Sequence, residues 1–457
     1  MLVACGTKGS QLTSDRSSAS SPISTLPCSL YASPSGSDRN SGLSRRSPKT
    51  FLGAATASRP GSVVCLLGGT YSLSSTFKPP TSGTPLAWII YKNYGNVPVK
   101  FIWTGAADAS PMFDMNGGSF PSNPAYLEFR GLNLDGGGKA GDGFFCRGSH
   151  HLRFVGNSIR NTGGSGIGAI KCDYLLADHN IVDHNGYIPA GAGSNTKYYS
   201  WTSGISFNSN QWYDSYPGLH NIISNNIVTG EADQSAKHSD GNGIILDLSD
   251  RTYNYSSANT PPALILNNVV YGNGGRCIEA YVVSNFWIVN NTCYKNNWDP
   301  SIDRAGSINI NNSHDGYVIN NIAAPWSTAN RCYVEENIAQ NIHYYRNMCF
   351  GGADERRPFD PEQVFKADPV FLGTANFQMR GKAEYESALA PALLGNSLML
   401  HPSSPALHKG IDLATLQSLS EPLIRDLKEY VYKDINGITR PPGEPPDLGA
   451  YQHKPGR

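Results

Sequence analysis

The chain has 457 residues, and its 36 basic and 36 acidic side chains cancel. That balance gives no electrostatic reason to expect nucleic acid or an anionic membrane as partner. No apolar run approaches the roughly 18 residues needed to cross a bilayer, and the length suits a solenoid better than an average single domain.

In chain order, Leu2-Val3-Ala4-Cys5-Gly6 resembles the end of a bacterial lipoprotein signal, in which the cysteine becomes the lipidated first residue. Residues 7–27 are rich in Ser, Thr and Pro and read as a flexible tether. Residues 1–27 are therefore expected to be a signal remnant and tether. The implied location is secreted, periplasmic or outer-membrane, with Cys5 as the membrane contact. There is no Cys-x-x-Cys spacing for a zinc site. Eight cysteines remain beside Cys5, an even number that disulfides could use; buried free thiols are the alternative, and the sequence does not pair them.

From residue 152 a pattern repeats: a short apolar strand, Asn or Asn-Asn, then a second short strand. Copies include Leu152–Ile159, Leu175–Val182, Asn221–Val228, Leu264–Val270, Trp287–Cys293 and Tyr317–Ile322. The marker asparagines Asn157, Asn180, Asn226, Asn268, Asn291 and Asn321 are separated by 23, 46, 42, 23 and 30 residues. The unit is about 23 residues, stretched by insertions, and the steps of 46 and 42 are each expected to hold one extra strand with a long loop. A second family of Gly-led strands lies between the copies, at Gly141–Phe145, Gly164–Ile167, Ser203–Phe207, Gly241–Ile245 and Gly275–Glu279. Three short strands per coil, with asparagines stacking as a ladder at one corner, predict an all-β, right-handed parallel β-helix. The only helix expected lies within residues 411–433, capping the last coil.

The flanks carry a resemblance. Leu30–Asp38, Arg59–Val64 and Gly68–Tyr71 at the start, with Ala367–Phe371, Ser404–Ala406, Asp434–Pro441 and Asp447–Tyr451 at the end, resemble the two ends of bacterial secreted β-helix proteins. The expected layout is a cap and first coils over 28–126, a central β-helix with its active-site loops over 127–351, and C-terminal coils with a capping segment over 352–457. The resemblance includes pectate, alginate and related polysaccharide lyases. It implies β-elimination on a uronate polymer, an acidic polysaccharide partner and calcium as a candidate cofactor. A monomer is expected.

The candidate site centres on Lys237-His238-Ser239-Asp240-Gly241-Asn242-Gly243 and the strand ending at Asp247. Equivalent positions on successive coils become neighbours, so the Gly-led strands should align Asp142, Ser165, Ser203, Asn242 and Arg276 in one column. Lys237, His238 or Arg276 could supply the base. Asp240 and Asp247 are candidate calcium ligands, hard oxygen donors of the kind that ion needs, and Glu279 and Asn242 offer further polar groups to substrate. Two insertions, Tyr187–Trp201 and Leu248–Pro262, carry Tyr187, Tyr198, Tyr199, Trp201, Arg251, Tyr253 and Tyr255. Of these, Tyr199, Trp201, Arg251 and Tyr255 are candidate substrate contacts, because sugar rings stack on aromatic faces. Two other readings stay open: a glycoside hydrolase on the same scaffold using a carboxylate pair from Asp240, Asp247 and Glu279, and a non-catalytic glycan-binding surface protein.

Overall fold

The computed structural model describes residues 26–117, 124–187, 201–235, 238–251, 258–302, 305–355, 357–373, 397–416 and 419–453. Within these, 26 strands pair in parallel, each with the equivalent strand one coil away. Three strips of strands result. Sheet A runs through Phe113–Asn116, Phe144–Arg147, Ile167–Ile170, Ile205–Asn208, Ile244–Asp247 and Ile278–Tyr281, then into the front of Gly306–Ile319. Sheet B includes His150–Val155, Asp173–Asp178, Asn221–Ser224, Ala263–Leu266 and Ser284–Val289. Sheet C includes Ser158–Arg160, Ile181–Asp183, Ile227–Thr229, Val269–Tyr271 and Thr292–Tyr294. This is the right-handed parallel β-helix expected from the repeats, and its pairing runs unbroken from Leu30 to Lys366.

Alternation along each strand decides what is buried. In sheet A, Phe144, Ile167, Ile205, Ile244, Ile278 and Ile308 stack in register inside the solenoid. Burial of each such side chain is worth about 1.5–3 kcal/mol. The residues one step along the strands face outward and are free to be polar.

The asparagine ladder closes the turn between sheets B and C. Asn157, Asn180, Asn226, Asn268, Asn291, Asn321 and Asn347 each donate Nδ2 to the next Oδ1 or accept from the one before, at 2.9–3.1 Å. Each Oδ1 after the first also receives the preceding ladder residue's backbone N–H. Only a side chain carrying donor and acceptor on one short stem can satisfy both neighbours inside a dry corner. In the Asn-Asn pairs the first member does something else: Asn225, Asn267, Asn290 and Asn320 take the left-handed backbone that turns the corner. A second ladder at the C-to-A corner runs Thr162, Asn185, Glu231, Asn273, Asn296. There Glu231 takes an asparagine's place, and burial holds its carboxyl well above the usual range.

Three expectations need correction. The long steps of 46 and 42 residues hold no extra strand: between Asn180 and Asn226 the described chain contains only Ile181–Asp183, Ile205–Asn208 and Asn221–Ser224, one strand per sheet, and the added length is loop. The C-terminal helix, α2 (Glu421–Tyr430), does not sit on the last coil. Leu423 and Leu427 join one buried cluster with Leu176, Ile222, Leu264, Leu266 and Trp287 on the outer face of sheet B, and Asp426 accepts from Tyr216 Oη and the Leu219 amide. An unanticipated helix, α1 (Phe51–Ala57), plugs the N-terminal end, where Phe51 meets Phe77, Phe101 and Phe113. The opposite end is covered by Phe359 against Tyr344, with Arg357 on Glu335.

The eight cysteines form four disulfides, Cys28–Cys65, Cys146–Cys172, Cys277–Cys293 and Cys332–Cys349. Such bonds form in an oxidising compartment, which fits a secreted protein. No helix among the described residues is long and apolar enough to cross a membrane.

Candidate active site

The segment Ser239–Asp247 enters sheet A through a tight corner. Gly241 has φ +77°, and a Cβ there would lie 2.8 Å from the Asp233 amide. At Gly275, one coil on, a Cβ would lie 2.5 Å from the Asp240 carbonyl. Gly241 lets the corner fold against its own loop, and Gly275 lets the next coil close enough for side chains to bridge. The expected column forms: Asp142 Oδ1 accepts the Ser165 amide, Ser165 Oγ the Ser203 amide, and Asn242 Oδ1 the Arg276 amide at 2.9 Å.

Asn242 is the hub. Its buried Nδ2 donates to Asp240 Oδ1 at 3.1 Å and Glu279 Oε2 at 3.2 Å, with Ser203 Oγ at 3.3 Å. Two acceptors at 3.1 and 3.2 Å from one nitrogen can lie no more than about 6 Å apart. Glu279 is also held by Asn309 Nδ2, which reaches Oε1 at 3.3 Å from the following coil. Asp247, two residues beyond the Ile245 that pairs with Glu279, accepts from Asn208 Nδ2 at 2.6 Å.

Burial raises all three carboxyl groups, and each is raised further by another acid. Asp240 goes well above the usual range, through burial, then Glu279 and Asp247. Asp247 is pushed up to about 7 by burial and Glu279. Glu279 rises by burial, but Arg276 and the Asn309 and Asn242 amides pull the other way. The environments therefore separate Asp240, which favours its proton, from Glu279, whose ionised form has three partners. Among the described residues the face around them is acidic: Asp233, Asp299 and Glu336 join the three, against Arg276 and His238.

The other candidate bases are less free than their sequence suggests. Arg276 lies 3.4 Å from Glu279 Oε2 and donates to the Ser239 carbonyl at 2.9 Å. Its guanidinium is thus placed against Glu279 as an ion pair. His238 takes a left-handed backbone and sits 2.9 Å from Asp299 Oδ2 through Nδ1. Lys237, Tyr198, Tyr199, Tyr253 and Tyr255 lie outside the described residues. Trp201 is 58% exposed, and Arg251 is exposed. Tyr187 stacks on His184 at 4.1 Å and packs beside Trp298 and Trp326 instead of joining the groove floor.

Asp240 and Asp247, the expected calcium ligands, are not brought together with a third acidic or histidine ligand atom within 4.8 Å among the described residues. Calcium needs six or more oxygen ligands converging on one point. Among the described residues the only trio of His, Cys, Asp or Glu ligand atoms within 4.8 Å of one another is Cys332, Cys349 and Glu355, and its two cysteines are a disulfide. Asn242 and Asn309 also turn N–H groups, not carbonyl oxygens, toward the acids.

Asn309 and Asp299 were missed by sequence reasoning. Asn309 lies in Gly306-Ser307-Ile308-Asn309-Ile310-Asn311, one further Gly-led strand with the same alternation, and extending the column by one coil finds it. Asp299 stands in a loop, and no periodicity points to it.

No protein-family model matches the chain, and no curated protein matches it. Solved structures do. A protein described as a glycoside hydrolase superposes with TM-score 0.51 at 8% identity, covering 74% of this chain and 95% of that one. The pectate lyase Pel9A gives TM-score 0.49 at 17% identity over 93% and 96%. An alginate lyase from Paenibacillus sp. str. FPU-7 gives 0.35 at 14% over 69% and 94%. The likeness is one of fold.

Proposed function

We propose that this face hydrolyses a glycosidic bond in an uncharged glycan, with Asp240 as general acid and Glu279 as nucleophile. The observation that carries the reading is the Asp240–Asn242–Glu279 bridge, in which one amide nitrogen holds two carboxyl groups. A shared amide keeps the pair within about 6 Å, closer than the inverting geometry needs, which supports the retaining mechanism. Asp240 gives its proton to the leaving oxygen while Glu279 attacks the anomeric carbon. Water, deprotonated by Asp240, then releases the sugar and regenerates both groups. The surplus of acid on the face would repel a uronate polymer, which is why an uncharged glycan is the better fit.

β-Elimination on an acidic polysaccharide is the second reading. The His238–Asp299 pair beside Arg276 favours it, as an oriented imidazole could take a proton while the guanidinium faces a uronate. The deciding experiment offers uncharged and acidic polysaccharides, each with calcium or a chelator. Hydrolysis predicts new reducing ends of retained configuration, no unsaturated-uronate absorbance and no effect of the chelator. Ultraviolet-absorbing product from an acidic polymer would establish elimination instead, and binding without either product would make the face a lectin-like surface. We further propose lipidation at Cys5 as the means of surface attachment.

A further inference from the structure

We infer that Asn309 is a positioning residue for Glu279, closing with Asn242 an amide clamp on the two carboxylate oxygens and linking Glu279 to Glu336 on the next coil. The inference rests on the hydrolase reading above. Asn242 Nδ2 meets Oε2 at 3.2 Å from one side, and Asn309 Nδ2 meets Oε1 at 3.3 Å from the other. The same Asn309 nitrogen lies 3.3 Å from Glu336 Oε2, which also accepts from Asn311 at 3.2 Å. Because both neighbours of the Asn309 amide are carboxylates, only its N–H₂ end can face them. Its Oδ1 is consequently buried with no donor among the described residues. Unpaired buried acceptors are rare in folded proteins; here one is retained, and what it secures is a donor aimed at Glu279.

The charged groups acting on Glu279 are Arg276, Asp240, Asp247 and Glu336. Two substitutions on this chain of contacts should act in opposite directions. Asn309→Ala removes a donor that favours ionised Glu279, so the acid limb of kcat/KM moves to higher pH by about one unit, equivalent to a tenfold loss on that limb. Asn309→Asp shifts it the same way, and Asn309→Ser, which keeps a donor, recovers part of the shift. Glu336→Gln removes a like charge and moves the limb to lower pH.

The assay uses the full chain and the uncharged glycan that yields the most reducing ends, with thermal melts to verify folding; if Asn309→Ala does not fold, Asn309→Ser and Glu336→Gln carry the test. Opposite shifts support the clamp. Should Glu279→Gln abolish turnover while the Asn309 and Glu336 variants leave the limb in place, the clamp is overturned and the hydrolase reading stands. Full activity in Glu279→Gln, or no cleavage of any glycan, overturns both.

Discussion

Asp240, Asp247 and Glu279 occupy a face where burial opposes ionisation, and this governs pH behaviour residue by residue. Asp247 has its folded-state value near 7 against an ordinary 3.8, and Asp142 and Asp183 are raised to about the same level. A group whose folded value is raised stabilises the fold below its ordinary value and loses that contribution as pH climbs through the folded one. Thermal melts should therefore show stability falling between pH 4 and about 7, and Asp142→Asn should flatten the slope by removing one titrating group. On activity, Asp240→Asn should lower kcat by about 10²–10⁴-fold, the usual contribution of a positioned acid, and erase the alkaline limb. Of the candidate-site residues, Asn242 and Arg276 were legible from equivalent positions on successive coils, and Asp240, Asp247 and Glu279 as acids flanking that column. The contacts of Arg276 were not, because its pairing with Glu279 and the Ser239 carbonyl depends on side-chain directions that spacing does not carry.

At the scale of the element, the ladder and the staples hold the coils in register. Asn268 gives two hydrogen bonds through Nδ2 and receives two through Oδ1. Asn268→Ala leaves dry groups unpaired above and below, each worth about 1–3 kcal/mol, so denaturant unfolding should register a loss of about 2–4 kcal/mol. The Cys277–Cys293 bond ties the strand bearing Glu279 to sheet C across 16 residues. Replacing both cysteines with serine should remove about 3 kcal/mol by the loop-closure argument, again measured by denaturant unfolding, and lower activity because Cys277 lies between Arg276 and Glu279. The ladder spacing was readable since one residue type must recur wherever coils stack. The extra strands inferred in the long steps were a misreading: a stretched spacing says that residues were inserted, not whether they pair.

For the whole molecule, the C-terminal tail runs back along the solenoid. Arg440 is buried and donates to the Asp447 and Gly449 carbonyls at 2.8 Å and to Asn267 Oδ1 at 3.3 Å. Asn290 and Asn320 hold the same tail. Deleting residues 411–457 should uncover Leu264, Leu266 and Trp287, giving a concentration-dependent loss of soluble protein visible by light scattering. What the sequence determined by itself was the periodic part: three strands per coil, the asparagine corner, the outward column and the apolar interior, since each of these repeats with the geometry that requires it. The tertiary structure alone decided which cysteines pair, that the helix lies on a flank and not an end, and which of several polar residues share a hydrogen-bonding hub. Those outcomes depend on contacts made once, between segments whose separation in the chain follows no period.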